Sequence, residues 1–335
     1  MDSLTQITTG ALIGEKTLGR TMGNQAALWG AIIGTIPDLD VFLAPFFGPV
    51  ENLFFHRGIS HSLLFCLLAA PLLGWMLRGI YRQRAPGFYQ WTLFSLWILL
   101  GAVFIDYLTT YGASIFWPFS DYRIELSTMA IVDVFFTLPL IIAMIIILTS
   151  PKHSGMRSRI KNGAFYFALI YLLFSGVNKA WQQRSFSQAL QDQGISYERL
   201  RTQPMPLTNF LWMGLAETEH GYWLGYHSLF DSQKPAFEFI PRNQQLLKPH
   251  MENPKVKRLI GFTKNYYTVR QEDSKLILHD LRFGRFQTKD RPMYVFSFEI
   301  QTSNKTLQIN EKQPGAHITG EDIMEYVRKI FPKNG

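Results

Sequence analysis

Apolar residues are spread unevenly along this chain. Residues 25–180 hold most of its runs of Leu, Ile, Phe and Trp, whereas residues 181–335 are polar, charged and broken by proline. A helix crosses the hydrocarbon core of a bilayer with about 20 mostly apolar residues. Five stretches approach that length, at 25–47, 60–77, 90–108, 129–148 and 163–177. The second and fifth are short enough to be partial or tilted spans. Residues 3–14 are apolar and small, which predicts an interfacial or re-entrant helix that packs closely through Gly10 and Gly14. The polar half predicts a helix over 177–193 and strands at 222–229, 237–240, 258–270, 275–283, 293–301 and 306–309. A final amphipathic helix over 321–331 is capped by Gly320 and opened by acidic residues. The pattern predicts an α-helical integral membrane domain of about four to five transmembrane helices over 1–180, then a smaller α+β soluble domain over 181–335.

Charge adds an orientation. The chain has 335 residues, 47% of them hydrophobic, and a net charge of +8. Arg78, Arg82 and Arg84 lie between the second and third stretches, and Lys152, Arg157, Arg159 and Lys161 between the fourth and fifth. Short basic loops stay in the cytoplasm. Lys16 and Arg20 agree, so the N-terminus is expected to be cytoplasmic. Loops 48–59 and 109–128, and everything after 180, then face the periplasm. The remaining cations are scattered among acids without an aromatic platform, which argues against nucleic acid as a partner. Cys66 is the single cysteine, so no disulfide forms within one chain and packing is its expected role. The N-terminus lacks the order of basic, apolar and small-residue regions of a cleaved signal peptide, so retention through an internal apolar segment is expected.

Ionisable side chains beside hydrocarbon are costly and point to function. They occur here as Asp38 and Asp40 in PDLD, His56 and His61 in HRGISH, Asp106 in FIDYLTTYG and Asp133 in IVDVFF. With the orientation above, all fall toward the outer face. Carboxylates and imidazoles are the ligand types of Zn²⁺, Mn²⁺ and Fe²⁺. Asp38 and Asp40 can share a cation only off an α-helix, and Pro37 supplies the break; the alternative is a solvated acidic helix end. His56 and His61, five apart, would point about 140° from each other on one helix, so His56 must lie in the preceding loop. Gly58 permits that turn, and Ser60 is the expected N-cap of the second span. Arg57 is placed to hold an anion; the alternative makes these residues interfacial anchors. A metal or arginine partner would satisfy Asp106, as would a hydroxyl of a neighbouring helix. Asp133 could orient one of the histidines. Asp121, Arg123 and Glu125 suit a solvated loop, and Glu15 could be a ligand or base only if the N-terminal stretch folds back. The other histidines, at 153, 220, 227, 250, 279 and 317, show no ligand spacing, and no G-x-S-x-G, P-loop or dinucleotide fingerprint is present.

At PDLDV, HRGISHS, D-x-x-T-x-Y-G and WPFS, and in the opening MDSLTQITTGALIGEKTLGR and WGAIIGTIPDLD, the chain resembles the YdjM-like family. These are LexA-regulated bacterial inner-membrane proteins described as metal-dependent hydrolases. The resemblance covers about residues 1–150 and continues loosely through PMPLTNFLWMGL. It implies that Asp38, Asp40, His56, His61 and Asp106 contribute to a divalent metal site for Zn, Mn or Fe. Two positions depart from the pattern: Ala102 stands where members often carry a histidine, and Val134 follows Asp133 in place of proline. The expected function is a membrane-embedded, metal-dependent hydrolase of the outer face, with Arg57 and Asp106 as catalytic residues and a lipid-linked ester or phosphoester as substrate. The alternative is a non-catalytic membrane protein with a structural metal or an ion path and a partner-binding outer domain.

Overall fold

The computed structural model describes residues 1–82, 86–273, 275–287, 292–303, 306–312 and 319–332. Arg84 and His317 lie outside the described residues. Contacts divide the chain into two compact units: Met1–Phe47, Phe54–Gly176 and Pro206–Thr208 form the first, and Gly48–Leu53, Val177–Met205 and Asn209–Gly335 the second.

The first unit is built on a helical hairpin. Asp2 caps α1 (Ser3–Met22), accepting from the Thr5 amide at 3.0 Å and the Thr5 hydroxyl at 2.6 Å. Thr8 and Thr9 return their hydroxyls to carbonyls one turn back, so polar side chains stay satisfied on a buried helix. Gly23, at φ 61°, turns the chain into α2 (Asn24–Thr35). The close packing expected of Gly10 and Gly14 is present, against Gly30 and Gly34 of α2. A Cβ on Gly14 would stand 3.0 Å from the Gly30 Cα, and one on Gly10 would run into the Gly30 carbonyl oxygen.

Pro37 ends the α-geometry as expected, and Pro37–Phe46 continues as a 3₁₀ segment. After α3 (Pro49–Phe55) and a 3₁₀ turn, Ile59–His61, come α4 (Leu63–Ile80), α5 (Phe88–Leu108), α6 (Val134–Thr149) and α7 (Gly155–Asp192). Ser62, not Ser60, caps α4, with the Phe65 amide 3.0 Å from its hydroxyl. The α6 helix begins at Val134 rather than 129, because Met129 bridges Thr109 and Asp133 bridges Leu207 in extended backbone. Among the described residues, four helical stretches are long and apolar enough to cross a membrane: Asn24–Phe46, Leu63–Ile80, Phe88–Leu108 and Gly155–Asp192; Val134–Thr149 is a shorter apolar helix. Leu67, Leu68, Leu72 and Trp75 of α4 remain exposed, a surface suited to lipid. Cys66 is a free, buried thiol packed with Trp91, Phe94 and Ile98, the packing role expected of it.

The second unit carries two antiparallel four-stranded sheets, ordered β1-β2-β3-β4 and β5-β6-β7-β8. Their strands are β1 (Arg199–Pro204), β2 (Leu211–Glu217), β3 (Gly221–Ser228), β4 (Phe237–Pro241), β5 (Tyr267–Glu272), β6 (Lys275–Gln287), β7 (Pro292–Ser303) and β8 (Thr306–Glu311). The fold is thus a helical membrane domain followed by an α+β domain. Three local expectations are corrected. Residues 258–270 do not form one strand: Asn253 caps α8 (Pro254–Phe262), and only then does β5 begin. The helix expected over 177–193 is the continuation of α7. Thr319, in a capping box with Asp322, opens α9 (Gly320–Ile330) in place of Gly320.

The hairpin yields a prediction. Gly30→Ala must push α1 from α2 against backbone, so we expect a loss of about 1–3 kcal/mol. Thermal unfolding in detergent measures it; an unchanged midpoint would mean that the helices do not pack through these glycines.

Candidate metal centre

Three separate elements bring one ligand-type side chain each to a common point. Asp38 comes from the first turn of the 3₁₀ segment, His61 from the 3₁₀ turn before α4, and Asp106 from the last turn of α5. One ligand atom from each lies within 4.8 Å of the others. The His61 Nε2 is 3.2 Å from Asp38 Oδ1 and 3.2 Å from Asp106 Oδ2. His61 and Asp106 are fully buried, and the Asp38 side chain is 16% exposed.

Asp40 and His56 pair with each other beside that group. Asp40 Oδ1 meets His56 Nδ1 at 2.7 Å, and Asp40 Oδ2 accepts from the Arg57 amide at 2.9 Å and the Ser60 hydroxyl at 2.6 Å. Ser60 is therefore drawn away from capping α4. Its hydroxyl also lies 3.0 Å from His61 Nδ1. Having given its only proton to Asp40, that hydroxyl can only accept, so His61 carries its proton on Nδ1. Nε2 then presents a lone pair toward two carboxylate oxygens, an arrangement that calls for a cation. Asp38 Oδ2 is buried without a hydrogen-bond partner, which gives the same answer independently. Burial holds the His61 pKa down, to about 4, against the opposing pull of Asp38, so the imidazole is neutral and suited to ligation. This donor set fits a divalent metal of the Zn, Mn or Fe kind.

Arg57 is the strained residue of the site. Its φ of 59° is left-handed, while Gly58, expected to make the turn, has φ −90°. Gly58 is needed for space, since a Cβ there would lie 2.9 Å from the Phe54 carbonyl oxygen. The twist aims the buried Arg57 guanidinium at Asp106 Oδ1 (3.3 Å) and Thr109 Oγ1 (3.5 Å). Arg57 and Arg123 both lie on the Tyr111 ring, at 4.7 and 4.6 Å from its centroid. Arg123 is buried and donates to the His56 carbonyl, so it belongs to the site rather than to a solvated loop.

Gln6 is the residue that sequence reasoning missed. From α1 it donates to Asp106 Oδ2 at 2.8 Å and to the Ala102 carbonyl at 3.3 Å. It supports the aspartate beside Ala102, the position where members of the resembled family often carry a histidine. The Met1 amino group also meets Asp106, so α1 starts at this cluster. An amide in an apolar, small-residue stretch was the available signal.

Two acids lie elsewhere. Asp133 does not orient a histidine; it caps α6 and accepts from Tyr171 at 2.9 Å, and burial raises its pKa to about 6. Glu15 is neither ligand nor base here, because Arg157 holds it through Nε at 2.9 Å and Nη2 at 2.7 Å. His227 and His279 bond to Gln182 and Ser297, consistent with packing roles.

The sequence profile of a family described as "YdjM inner membrane protein" matches residues 1–182. The inner membrane protein YbcI of Escherichia coli (strain K12) is 34% identical over 96 residues, which cover 28% of this chain and 54% of YbcI. The match thus spans about half of that relative's length. No solved structure matches the chain.

The depressed His61 value makes a pH prediction. An unfolded histidine titrates near about 6.5. Below that pH the unfolded chain takes up a proton that the folded chain refuses until about pH 4. The contribution is complete above about pH 6.5 and falls by roughly 1.4 kcal/mol per unit as pH drops toward the folded value. Chelator-treated protein should unfold more easily at pH 5 than at pH 7, and His61→Gln should flatten that slope. An unaltered slope in the variant would assign the effect to other groups.

Proposed function

The chain belongs to the YdjM inner membrane protein family, and from that premise we propose that it is a metal-dependent hydrolase at the outer face of the inner membrane, acting on a lipid-linked ester or phosphoester. One observation carries the reading: Asp38, His61 and Asp106 converge from three elements with buried oxygen left over for a cation. When bound, a divalent ion there supplies Lewis acidity toward an acyl or phosphoryl oxygen and lowers the pKa of water. The protein's own groups do the rest. Asp38, His61 and Asp106 hold the ion, and Asp40 and Ser60 fix the His61 tautomer, with His56 braced on Asp40. Arg57 faces Asp106 with a buried Nε that has no hydrogen-bond partner, a donor ready for developing anionic charge.

The substrate class rests on an apolar cavity of about 690 Å³ lined by Leu63, Val103, Phe104, Tyr107 and Ile115. Leu63 lies two residues from His61, and Val103, Phe104 and Tyr107 lie within three of Asp106, and the cavity suits an acyl chain. The orientation rests on the basic loops. With Lys152, Arg159 and Lys161 in the cytoplasm, the other end of the bundle faces the periplasm. The expected cytoplasmic N-terminus is incompatible with an outer site, because Met1 lies at Asp106 and α1 rises about 30 Å from there. The basic loops favour an outer site, which sets the Met1 end of α1 toward the periplasm, where the α+β domain is also expected.

The test uses purified protein in lipid, measuring metal content and turnover of a phospholipid ester and a lipid phosphoester. His61→Ala and Asp106→Asn should lose both metal and turnover. His56→Ala should keep the site but bind metal about 10–100-fold more weakly. Arg57→Lys should keep metal and lose about 10²–10³-fold in turnover. Metal that stays tight while neither substrate turns over would assign the site to structure instead.

A further inference from the structure

A second polar site lies at the far end of α1, about 20 residues or ~30 Å from Met1. It is a cavity of about 380 Å³, lined among others by Arg20, Lys152, His153, Ser154 and Lys161, with Glu15 and Arg157 in its wall. Among the described residues that line it, Glu15 is the only acid, against four permanent cations. Arg157 consumes that acid, and its remaining nitrogen, Nη1, is spent on Asn24 Oδ1 (2.7 Å) and the carbonyls of Ile147 (3.0 Å) and Ser150 (3.1 Å). Arg20, Lys152 and Lys161 are left without a carboxylate.

Lys161 is the telling residue. It is only 7% exposed, yet its ammonium makes no hydrogen bond or ion pair to any described residue. The acid whose field it feels is Glu15, already held by Arg157. Its side chain is largely buried in the wall of the cavity, so an anion in the cavity would lie within reach of its ammonium. The cavity also receives the start of α7, where Ser154 Oγ accepts the Arg157 amide at 3.1 Å and the first turn contains no acid. That end carries partial positive charge directed at the same space.

We propose that this cavity binds a phosphate-bearing anion, with Lys161 as the counter-ion in its wall and Arg20 and Lys152 at its rim. Basic pockets between membrane helices suit phospholipid headgroups, and free phosphate offers the same oxygens. The site is independent of the hydrolase reading, since it shares no residue with the metal centre.

The full-length protein should be titrated with inorganic phosphate in detergent, and reconstituted in phosphatidylcholine nanodiscs with and without phosphatidic acid. Lys161→Gln and Arg20→Gln should each weaken binding about tenfold or more. Arg159→Gln, an exposed cation on α7 that does not line the cavity, should leave it unchanged. Binding of free phosphate identifies a soluble ligand, and binding only in the anionic bilayer identifies a headgroup; both support the site. Equal binding by wild type and Arg20→Gln, a change at an exposed side chain, would overturn it, as would no binding of either probe. Metal content should be the same in all these variants, which separates failure of this site from failure of the other.

Discussion

Two carboxylates facing one neutral imidazole nitrogen is the constraint around which the first unit is organised. Asp38 and Asp106 each stand 3.2 Å from His61 Nε2, with His61 and Asp106 fully buried. The Met1 ammonium and the Arg57 guanidinium meet Asp106 on Oδ1, while Asp106 Oδ2 and Asp38 Oδ1 are turned to the imidazole, where facing lone pairs repel without positive charge. The surroundings hold that arrangement. Gln6 and Arg57 engage Asp106, and Ser60 and Asp40 turn the imidazole. Arg57 accepts a left-handed backbone to be there. Strain of that kind persists where neighbours over-determine it, and here the Asp40 carboxylate holds the Arg57 amide in place.

The α1 helix ties the chemistry to the scaffold. Gln6 reaches the candidate metal centre, Gly10 and Gly14 seat the helix on α2, and Glu15 locks to α7 through Arg157. A side chain at either glycine would separate the helices and move Gln6. Close backbone packing and site geometry are therefore the same property of this helix. The small residues are what let a polar-faced helix lie at the centre of an apolar bundle.

Much of this was legible in the sequence. Aspartates and histidines inside greasy stretches are rare for a physical reason, so PDLD, HRGISH and Asp106 identified themselves. Arg123 and Gln6 did not, because nothing in a local pattern says that a loop arginine stacks on Tyr111 or that residue 6 faces residue 106. The unity of α7 was hidden for another reason. Asn178, Lys179 and Gln182 end the apolar run, but they are compatible with helix, and hydropathy registers only the first fact. The β2 strand, buried at every position, lacks the alternation that betrays a strand with one wet face.

The division of labour inside PDLD follows from helix geometry. A 3₁₀ helix has three residues per turn, so side chains two apart point about 120° from each other. Asp38 and Asp40 therefore diverge along this segment. One is directed to His61 Nε2, and the other falls on the side of the 56–60 loop, where it gathers His56, Ser60 and the Arg57 amide. An α-helix would have placed the pair about 160° apart and given up the second role. Pro37 therefore does more than interrupt a span: at the start of the tighter winding, it lets one short motif supply both a candidate ligand and the group that orients a second candidate.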